Sequence, residues 1–164
     1  MHTDGADPRE QLRAAGLRVT APRVAVLDAV AARPHSDADT VAVTVRQQLG
    51  SVSTQAVYDV LHACVRAGIL RRIEPAGSAA LYEARTGDNH HHLVCRNCGT
   101  VVDVDCVVGS APCLQPDDEH GFAIDEAEVV FWGLCPNCRP DRRPTPRQSR
   151  VSPPGSVDQP RRLL

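Results

Sequence analysis

The sequence predicts an α+β chain of two small domains, the first made of short helices with a β-hairpin and the second a smaller α/β unit. Two observations predict this division. Helical patterns with start and stop signals fill the first half, whereas strand patterns between two paired-cysteine motifs fill the second. A length of 164 residues suits two small domains. We therefore predict a flexible N-terminus (1–8), a first domain (9–84), a hinge (85–89), a second domain (90–138) and a disordered tail (139–164).

The first helical signature lies between Thr20 and Pro34. Thr20 is placed to cap this helix, Pro22 suits its first turn, and Pro34 ends it. A short helix near Gln11 is expected to precede it. The pattern therefore predicts that the chain enters a helical domain soon after its N-terminus.

Two further helices follow in close succession. Ser36 and Asp39 resemble a capping box, and the helix that they open stops at Gly50. Ser53 opens the third helix, which ends at Gly68. Three short helices close together predict a compact helical unit.

A hairpin is predicted directly after the third helix, with strands at 69–74 and 79–83. Three helices and a hairpin form the winged helix-turn-helix arrangement, whose third helix enters the major groove of double-stranded DNA. Gln55 and Tyr58 lie near the N-terminus of that helix, where base contacts are usually made. The alternative is a helical bundle that binds no DNA.

The charge is divided unevenly along the chain, which contains no lysine. Residues 1–85 carry 10 arginines and 9 acidic residues, residues 86–138 carry 1 and 9, and residues 139–164 carry 7 and 2. An acidic middle segment disfavours contact with nucleic acid there. No stretch approaches the roughly 18 to 20 apolar residues that span a membrane, and the first residues lack a secretory signal. We expect a cytoplasmic protein with no membrane partner.

Two CxxC motifs carry the most specific chemical signal. Cys95 and Cys98 form the first and Cys135 and Cys138 the second, and four paired thiolates suit a closed, tetrahedral, structural Zn(II) site. The 36 residues between the motifs exceed the usual zinc-ribbon interval, so the metal is predicted to join separate strands. Two redox dithiols are the alternative.

The other cysteines fit no such pattern. Cys64 falls on the apolar face of the third helix and is expected in the core. Cys106 and Cys113 are assigned no role.

The second domain also contains strand patterns at 91–96, 100–104 and 127–132.

A second metal site is predicted just before the first CxxC motif. His90 and His92 share one face of an extended strand, and Glu83 stands across the short hinge. Imidazole and carboxylate ligands suit Fe(II), Mn(II), Ni(II) or Zn(II), and ligand type alone does not choose among them.

These features together resemble the ferric uptake regulator (Fur) family of metal-responsive repressors, over about residues 10–138. The likeness rests on LRVTAPR at 17–23, STQAVYDVL at 53–61, DNHHHLVCRNCG at 88–99 and WGLC at 132–135. Further segments look most like the actinobacterial FurA and CatR branch, which is associated with catalase-peroxidase genes. The resemblance implies a winged-helix domain followed by a small α/β dimerisation domain with a four-cysteine zinc site.

The resemblance also implies roles for individual residues. Structural Zn(II) is expected at the four cysteines, and regulatory Fe(II) or Mn(II) is expected on His35, Glu83, His90, His92 and Asp103. DNA contacts are expected from Arg18, Arg23, Ser53, Gln55 and Tyr58. Asp59 departs from the family, which commonly has Arg at that position.

The function implied is that of a homodimeric repressor on a double-stranded DNA operator, and not of an enzyme. It would respond to iron and peroxide and control oxidative-stress genes, such as catalase-peroxidase genes, or iron genes. One alternative is a zinc- or nickel-responsive repressor of the same family. Another is a metallohydrolase built on Glu83, His90 and His92.

Overall fold

The computed structural model describes residues 7–107, 114, 116–124 and 127–140. Its elements are α1 (Pro8–Ala14), α2 (Ala21–Ala32), β1 (Ser36–Asp37), α3 (Ala38–Leu49), α4 (Thr54–Arg66), β2 (Arg71–Ile73), β3 (Leu81–Glu83), β4 (His90–Cys95), β5 (Val101–Asp105) and β6 (Val130–Gly133). This order confirms the predicted α+β class. Across the described ranges, no helix is both long and apolar enough to cross a membrane.

Some predictions fall outside the described residues. These are residues 1–6 of the flexible N-terminus predicted over 1–8, of which Pro8 instead begins α1, and residues 141–164 of the tail predicted over 139–164. Cys113, to which the sequence assigns no role, also lies outside them.

Local capping fixes where α2 and α4 begin. The hydroxyl of Ser53 accepts a hydrogen bond from the backbone N–H of Ala56 at 3.1 Å, so the cap predicted for α4 is confirmed. Gly68 follows this helix with a φ of 71°, a left-handed conformation that glycine adopts without steric cost. Thr20 precedes α2 as predicted, but its side chain makes no capping hydrogen bond.

The start of α3 differs from the prediction. The carboxylate of Asp37 accepts from the N–H of Thr40 at 2.7 Å, so Asp37 caps this helix. The hydroxyl of Ser36 donates instead to the carbonyl of Arg33 at 2.8 Å. The capping box predicted from Ser36 and Asp39 is therefore wrong, because pairing with β3 places both Ser36 and Asp37 in β1 and α3 begins only at Ala38.

One apolar core unites the four helices. Cys64 is fully buried within it, as predicted, and Tyr82 adds a side chain from β3. Its other large members come from α1 to α4 and include Leu12, Val26, Val30, Val41, Val45, Val57 and Leu61. Burying these aliphatic side chains stabilises the domain at about 25 cal/mol per Å² of apolar surface.

The first sheet has the strand order β1-β3-β2, and both pairs are antiparallel. Strands β2 and β3 confirm the predicted hairpin, with Arg71 opposite Glu83. Strand β1 was not predicted, since it consists of two residues, and it places Ser36 opposite Tyr82. This pairing brings His35 beside the end of β3.

The second sheet has the order β5-β4-β6, with β4 antiparallel to β5 and parallel to β6. All three predicted strands are present, although β6 starts three residues later than expected, at Val130. The register sets His92 opposite Asp103 and Cys95 opposite Gly133. Both groups of candidate ligands are therefore assembled by pairing with β4.

Candidate metal centres

The four cysteines of the CxxC motifs converge at one end of the second sheet. One sulfur from each lies within 4.8 Å of every other, and the Sγ atoms of Cys98 and Cys135 are 3.7 Å apart. Tetrahedral zinc with Zn–S bonds near 2.3 Å holds its sulfurs about 3.8 Å apart. Parallel pairing of β4 with β6 closes the long interval, since Cys135 comes two residues after Gly133. The cluster therefore fits a structural zinc site.

Charge explains why these thiols need a cation. The backbone N–H of Cys135 donates to the Sγ of Cys95 at 3.3 Å, and this bond, together with the backbone N–H groups of Cys98 and Asn97, lowers the pKa of Cys95 to about 6. Donation from Asn97 at 3.2 Å lowers the pKa of Cys138, but the sulfurs of Cys135 and Cys98 outweigh it and raise that pKa to about 12. Four thiolates at this spacing repel one another unless a metal ion neutralises them.

A second cluster joins the two halves of the chain. It brings together His35 before β1, Glu83 at the end of β3, His92 on β4 and Asp103 on β5, each with one ligand atom within 4.8 Å of the others. The Nε2 atoms of His35 and His92 lie 3.0 and 3.1 Å from Oε2 of Glu83. His35 has a φ of 58°, and its N–H donates to the carbonyl of Tyr82 at 2.9 Å. The sheet pairing thus holds a strained residue in the site.

His90 lies at the edge of this cluster. Its Nε2 atom is 3.1 Å from Oε1 of Glu83 and 3.9 Å from Oδ1 of Asp103. Its Nδ1 atom faces Oδ1 of Asp88 at 2.9 Å. The structure thus sets all five residues predicted for the regulatory metal around one point, with His90 less central than the other four.

Electrostatics favours a cation at this point. Burial raises the pKa of Glu83, but hydrogen bonds from His35 and His92 outweigh it and lower the pKa from 4.5 to about 2. Burial lowers the pKa of His35, but the carboxylates of Glu83 and Asp103 outweigh it and raise the pKa above 6.5. A buried carboxylate that stays ionised at neutral pH suits a metal ligand.

The side chains of the second cluster also fit a bound metal ion. Oδ1 of Asp103 is buried and only 2.8 Å from Nε2 of His35, yet it forms no hydrogen bond of acceptable geometry among the residues that the structure covers. Buried carboxylate oxygens normally have partners. The mixed nitrogen and oxygen ligands suit a divalent ion such as Fe(II) or Mn(II). Both the orphaned oxygen and the ligand chemistry therefore fit a metal.

Of the residues predicted to contact DNA, Ser53 caps α4 and Gln55 and Tyr58 lie on it, whereas Arg18 precedes α2 and Arg23 lies in its first turn. Arg18, Ser53 and Gln55 are exposed, while Arg23 and Tyr58 are half-buried.

Several of these side chains already have partners within the chain. Arg23 donates from Nη1 to the carbonyl of Arg18 at 2.8 Å, so it also stabilises the turn before α2. Gln55 donates to Asp59 at 2.8 Å. Tyr58 packs against the helical core.

Sequence reasoning missed the groups that surround the second cluster. Arg85 and Asp88 connect to His90 and Asp103 through hydrogen bonds and ion pairs. The signal for Asp88 was its place two residues before His90. Arg85 lies in a hinge predicted from composition, where nothing in the sequence indicated its partners.

Comparison with known proteins identifies the relatives of this chain. The family model described as the ferric uptake regulator family matches residues 14–131. Transcriptional regulator FurA of Mycobacterium tuberculosis (strain ATCC 25618 / H37Rv) is 63% identical over 132 residues, which cover 80% of this chain and 90% of the relative. Ferric uptake regulation protein 1 of Mycolicibacterium fortuitum is 58% identical over 129 residues, covering 79% of this chain and 80% of the relative.

Solved structures agree with these relatives. The ferric uptake regulator from Francisella tularensis with iron has a TM-score of 0.64 at 25% identity, covering 76% of this chain and 96% of that one. The regulator from Pseudomonas aeruginosa with manganese has a TM-score of 0.61 at 26% identity, covering 79% and 98%. The curated relatives are named as regulators and not as enzymes, and the 63% identity supports the actinobacterial FurA branch. The chain therefore belongs to the ferric uptake regulator family of transcriptional regulators.

Proposed function

We propose that this protein is a homodimeric, Fe(II)- or Mn(II)-dependent repressor that binds a double-stranded DNA operator in the cytoplasm. It responds to iron and peroxide and controls oxidative-stress genes, such as catalase-peroxidase genes, or iron genes. The observation that carries this proposal is the cluster in which His35 of the helical domain meets His92 and Asp103 of the second sheet. A metal ion bound there links the two domains.

The linking arrangement gives the metal a physical means to govern DNA binding. His35 precedes β1, whereas His90, His92 and Asp103 lie beyond the hinge, so a shared ion restricts the angle between the halves. In a two-fold dimer that angle sets the spacing of two α4 helices, and half-site spacing decides whether both helices reach adjacent major grooves. Metal binding thereby favours the state that fits the operator.

The second sheet supports assembly into a homodimer through its β4 face. An apolar row crosses this face of the sheet. It consists of Val102 on β5, Leu93 on β4 and Phe131 on β6, which stand opposite one another and are 51%, 43% and 47% exposed. Three apolar side chains in one exposed row are typical of an interaction surface. The opposite face carries His90 and His92, so dimer contact leaves the second cluster accessible.

A metal-dependent DNA-binding assay tests the proposal. Protein that retains its structural zinc is supplied anaerobically with Fe(II), Mn(II), Zn(II) or Ni(II), and sequences are then selected from a random duplex library. We expect Fe(II) or Mn(II) to yield an enriched operator, and His35→Ala to abolish the enrichment without loss of zinc. Equal enrichment by wild type and His35→Ala in every metal would refute the proposed switch, and a preference for Zn(II) or Ni(II) would change the metal assigned.

The response to peroxide is proposed to arise at the same cluster. A bound Fe(II) ion would promote cleavage of the peroxide O–O bond there, so that one oxygen adds to an imidazole ring and the other leaves as water. The side chain of His35 is 11% exposed, whereas those of His90 and His92 are 0% and 1% exposed, so His35 is the most exposed histidine of the cluster. We therefore expect oxygen addition mainly at His35, which would weaken its binding of metal and release the operator.

Mass spectrometry after a peroxide pulse on the Fe(II)-loaded protein tests this step. An increase of about 16 Da on the peptide that holds His35, or on the peptide that holds His90 to His92, supports the histidine route. Sulfenate or disulfide at Cys106 or Cys113 would replace it with a thiol route. DNA binding that persists with neither modification would refute the peroxide response and leave metal availability as the signal.

A further inference from the structure

We propose that Arg85 is a positioning residue of the second metal cluster, acting on His90 through Asp88 and directly on Asp103. This inference rests on the proposed function, since it concerns how the same site holds its metal. It assigns a role to two hinge residues that are not themselves expected to be ligands.

Arg85 binds three carboxylates from two parts of the chain. Its Nε atom is 2.6 Å from Oδ2 of Asp88, and its Nη2 atom is 2.6 Å from Oδ1 of Asp105. Its Nη1 atom is 4.0 Å from Oδ2 of Asp103. Asp88 belongs to the hinge, whereas Asp103 and Asp105 belong to β5. The planar guanidinium faces the three carboxylates with three different nitrogens, so its rigid fork constrains their relative directions.

The first branch of this network orients His90. Asp88 uses one oxygen for Arg85 and the other, Oδ1, for Nδ1 of His90 at 2.9 Å. An imidazole that binds metal through Nε2 must keep its proton on Nδ1, and a carboxylate at Nδ1 favours that tautomer. Arg85 holds this carboxylate in place, so Nε2 faces the centre of the cluster beside Glu83, where its lone pair would be available to a metal ion.

The second branch orients Asp103. Its Oδ1 atom lies 2.8 Å from His35 and 3.5 Å from His92, while its Oδ2 atom is the one that faces Arg85. The two oxygens thus have separate partners, and the attraction to Arg85 disfavours rotation of the carboxylate away from the histidines. Arg85 therefore acts on two candidate ligands, His90 on β4 and Asp103 on β5.

A Co(II) titration of the zinc-retaining protein, followed by visible absorption in competition with a chelator, tests the role of Arg85. Loss of an outer-shell partner typically weakens metal affinity about 10- to 100-fold. We expect that loss for Arg85→Ala and for Asp88→Ala. Asp88→Asn should recover much of the affinity, because its amide oxygen still accepts from Nδ1 of His90. The matched control is Arg72→Ala, which removes an arginine paired with Glu74 away from the cluster.

A second measurement needs no variant. With Zn(II) in both sites, nitrogen-resolved NMR of wild type should show a protected proton on Nδ1 of His90, as expected for a hydrogen bond to Asp88.

A control on folding applies to the variants. The zinc content and thermal unfolding of each variant should match those of Arg72→Ala.

The outcomes separate this inference from the proposed function. No Co(II) binding at a second site in wild type would refute both. Wild-type binding with Arg85→Ala and Asp88→Ala within about twofold of Arg72→Ala would overturn only the role of Arg85. A proton on Nε2 instead of Nδ1 of His90, or variants that lose zinc together with Co(II), would overturn it as well.

Discussion

Replacing Glu83 with glutamine should destabilise the protein even without a regulatory metal. The side chain is fully buried and lies 3.0 to 3.1 Å from the Nε2 atoms of His35, His90 and His92. Glu83→Gln keeps the volume of the side chain but removes its negative charge. The amide nitrogen of the glutamine must then face an imidazole from which the carboxylate of Glu83 accepts a hydrogen bond. The change therefore tests the electrostatics of the cluster separately from its packing.

The structure gives the magnitude of this effect. One pKa unit corresponds to about 1.4 kcal/mol. Lowering the pKa of Glu83 from 4.5 to about 2 then corresponds to about 3 kcal/mol in favour of the folded state at neutral pH. We expect the unfolding free energy of Glu83→Gln to fall by about this amount.

The difference between wild type and variant should depend on pH. Because the pKa of Glu83 is lowered on folding, its contribution is present above 4.5 and is lost as the pH falls toward about 2. The pKa of His35 is raised on folding, so its contribution is complete below 6.5 and is lost as the pH rises through that raised value. The difference should be largest between about pH 4.5 and 6.5.

Urea unfolding followed by circular dichroism, at several values from about pH 4 to 9, measures this difference. The matched control is Glu74→Gln on the same hairpin, because Glu74 is exposed and its ion pair with Arg72 is worth about 0.2 to 1 kcal/mol. A loss in Glu83→Gln no greater than in this control would refute the reasoning. A loss that stays constant across the pH range would refute the assignment to charge.

Three further predictions follow from other parts of the molecule. Cys135→Ser should lose zinc, unfold the second domain and abolish the dimer in sedimentation, because a structural zinc site contributes about 10 kcal/mol to folding; a stable zinc-free dimer would contradict this. Tyr58→Ala should weaken binding to the operator more than to random DNA. Arg23→Ala should weaken binding to both DNAs, and it should reduce by about 0.9 the magnitude of the slope of the log binding constant against the log salt concentration. Equal losses on the two DNAs for Tyr58→Ala would mean that α4 does not read bases. Asp37→Ala should destabilise the first domain by about 1 kcal/mol in urea unfolding, since it removes the cap of α3. Asp39→Ala removes an exposed charge from the same turn and should lower the unfolding free energy by about 0.3 to 0.5 kcal/mol. A larger loss for Asp39→Ala than for Asp37→Ala would contradict the assignment of Asp37 as the cap.

Short-range patterns were sufficient for much of the fold and for the cysteine site. Ser53 and Gly68 mark the ends of α4 because capping depends on residues within one helical turn. The CxxC spacing predicts paired thiols because each pair lies on one tight turn. His90 and His92 share a face because a strand has a period of two residues. Each of these conclusions depends on neighbours in the sequence, which the sequence displays directly.

Tertiary structure decided which distant groups meet. Pairing with β3 draws both Ser36 and Asp37 into β1, so α3 starts one residue later, at Ala38, and Asp37 becomes the cap that the local pattern assigned to Ser36. His35 and Asp103 were indicated only by the family resemblance, and the sheet register is what brings them within 2.8 Å of each other.

The contacts of Arg85 had no signal in the sequence at all. They join the hinge to β5 across 20 residues through one side chain. Long charged side chains adopt many rotamers, and their partners are fixed only when folding brings carboxylates from separate strands within reach. The sequence by itself therefore determined the helices, every strand except β1 and the paired thiols, whereas the packing of the two sheets decided the geometry of the cluster between the domains.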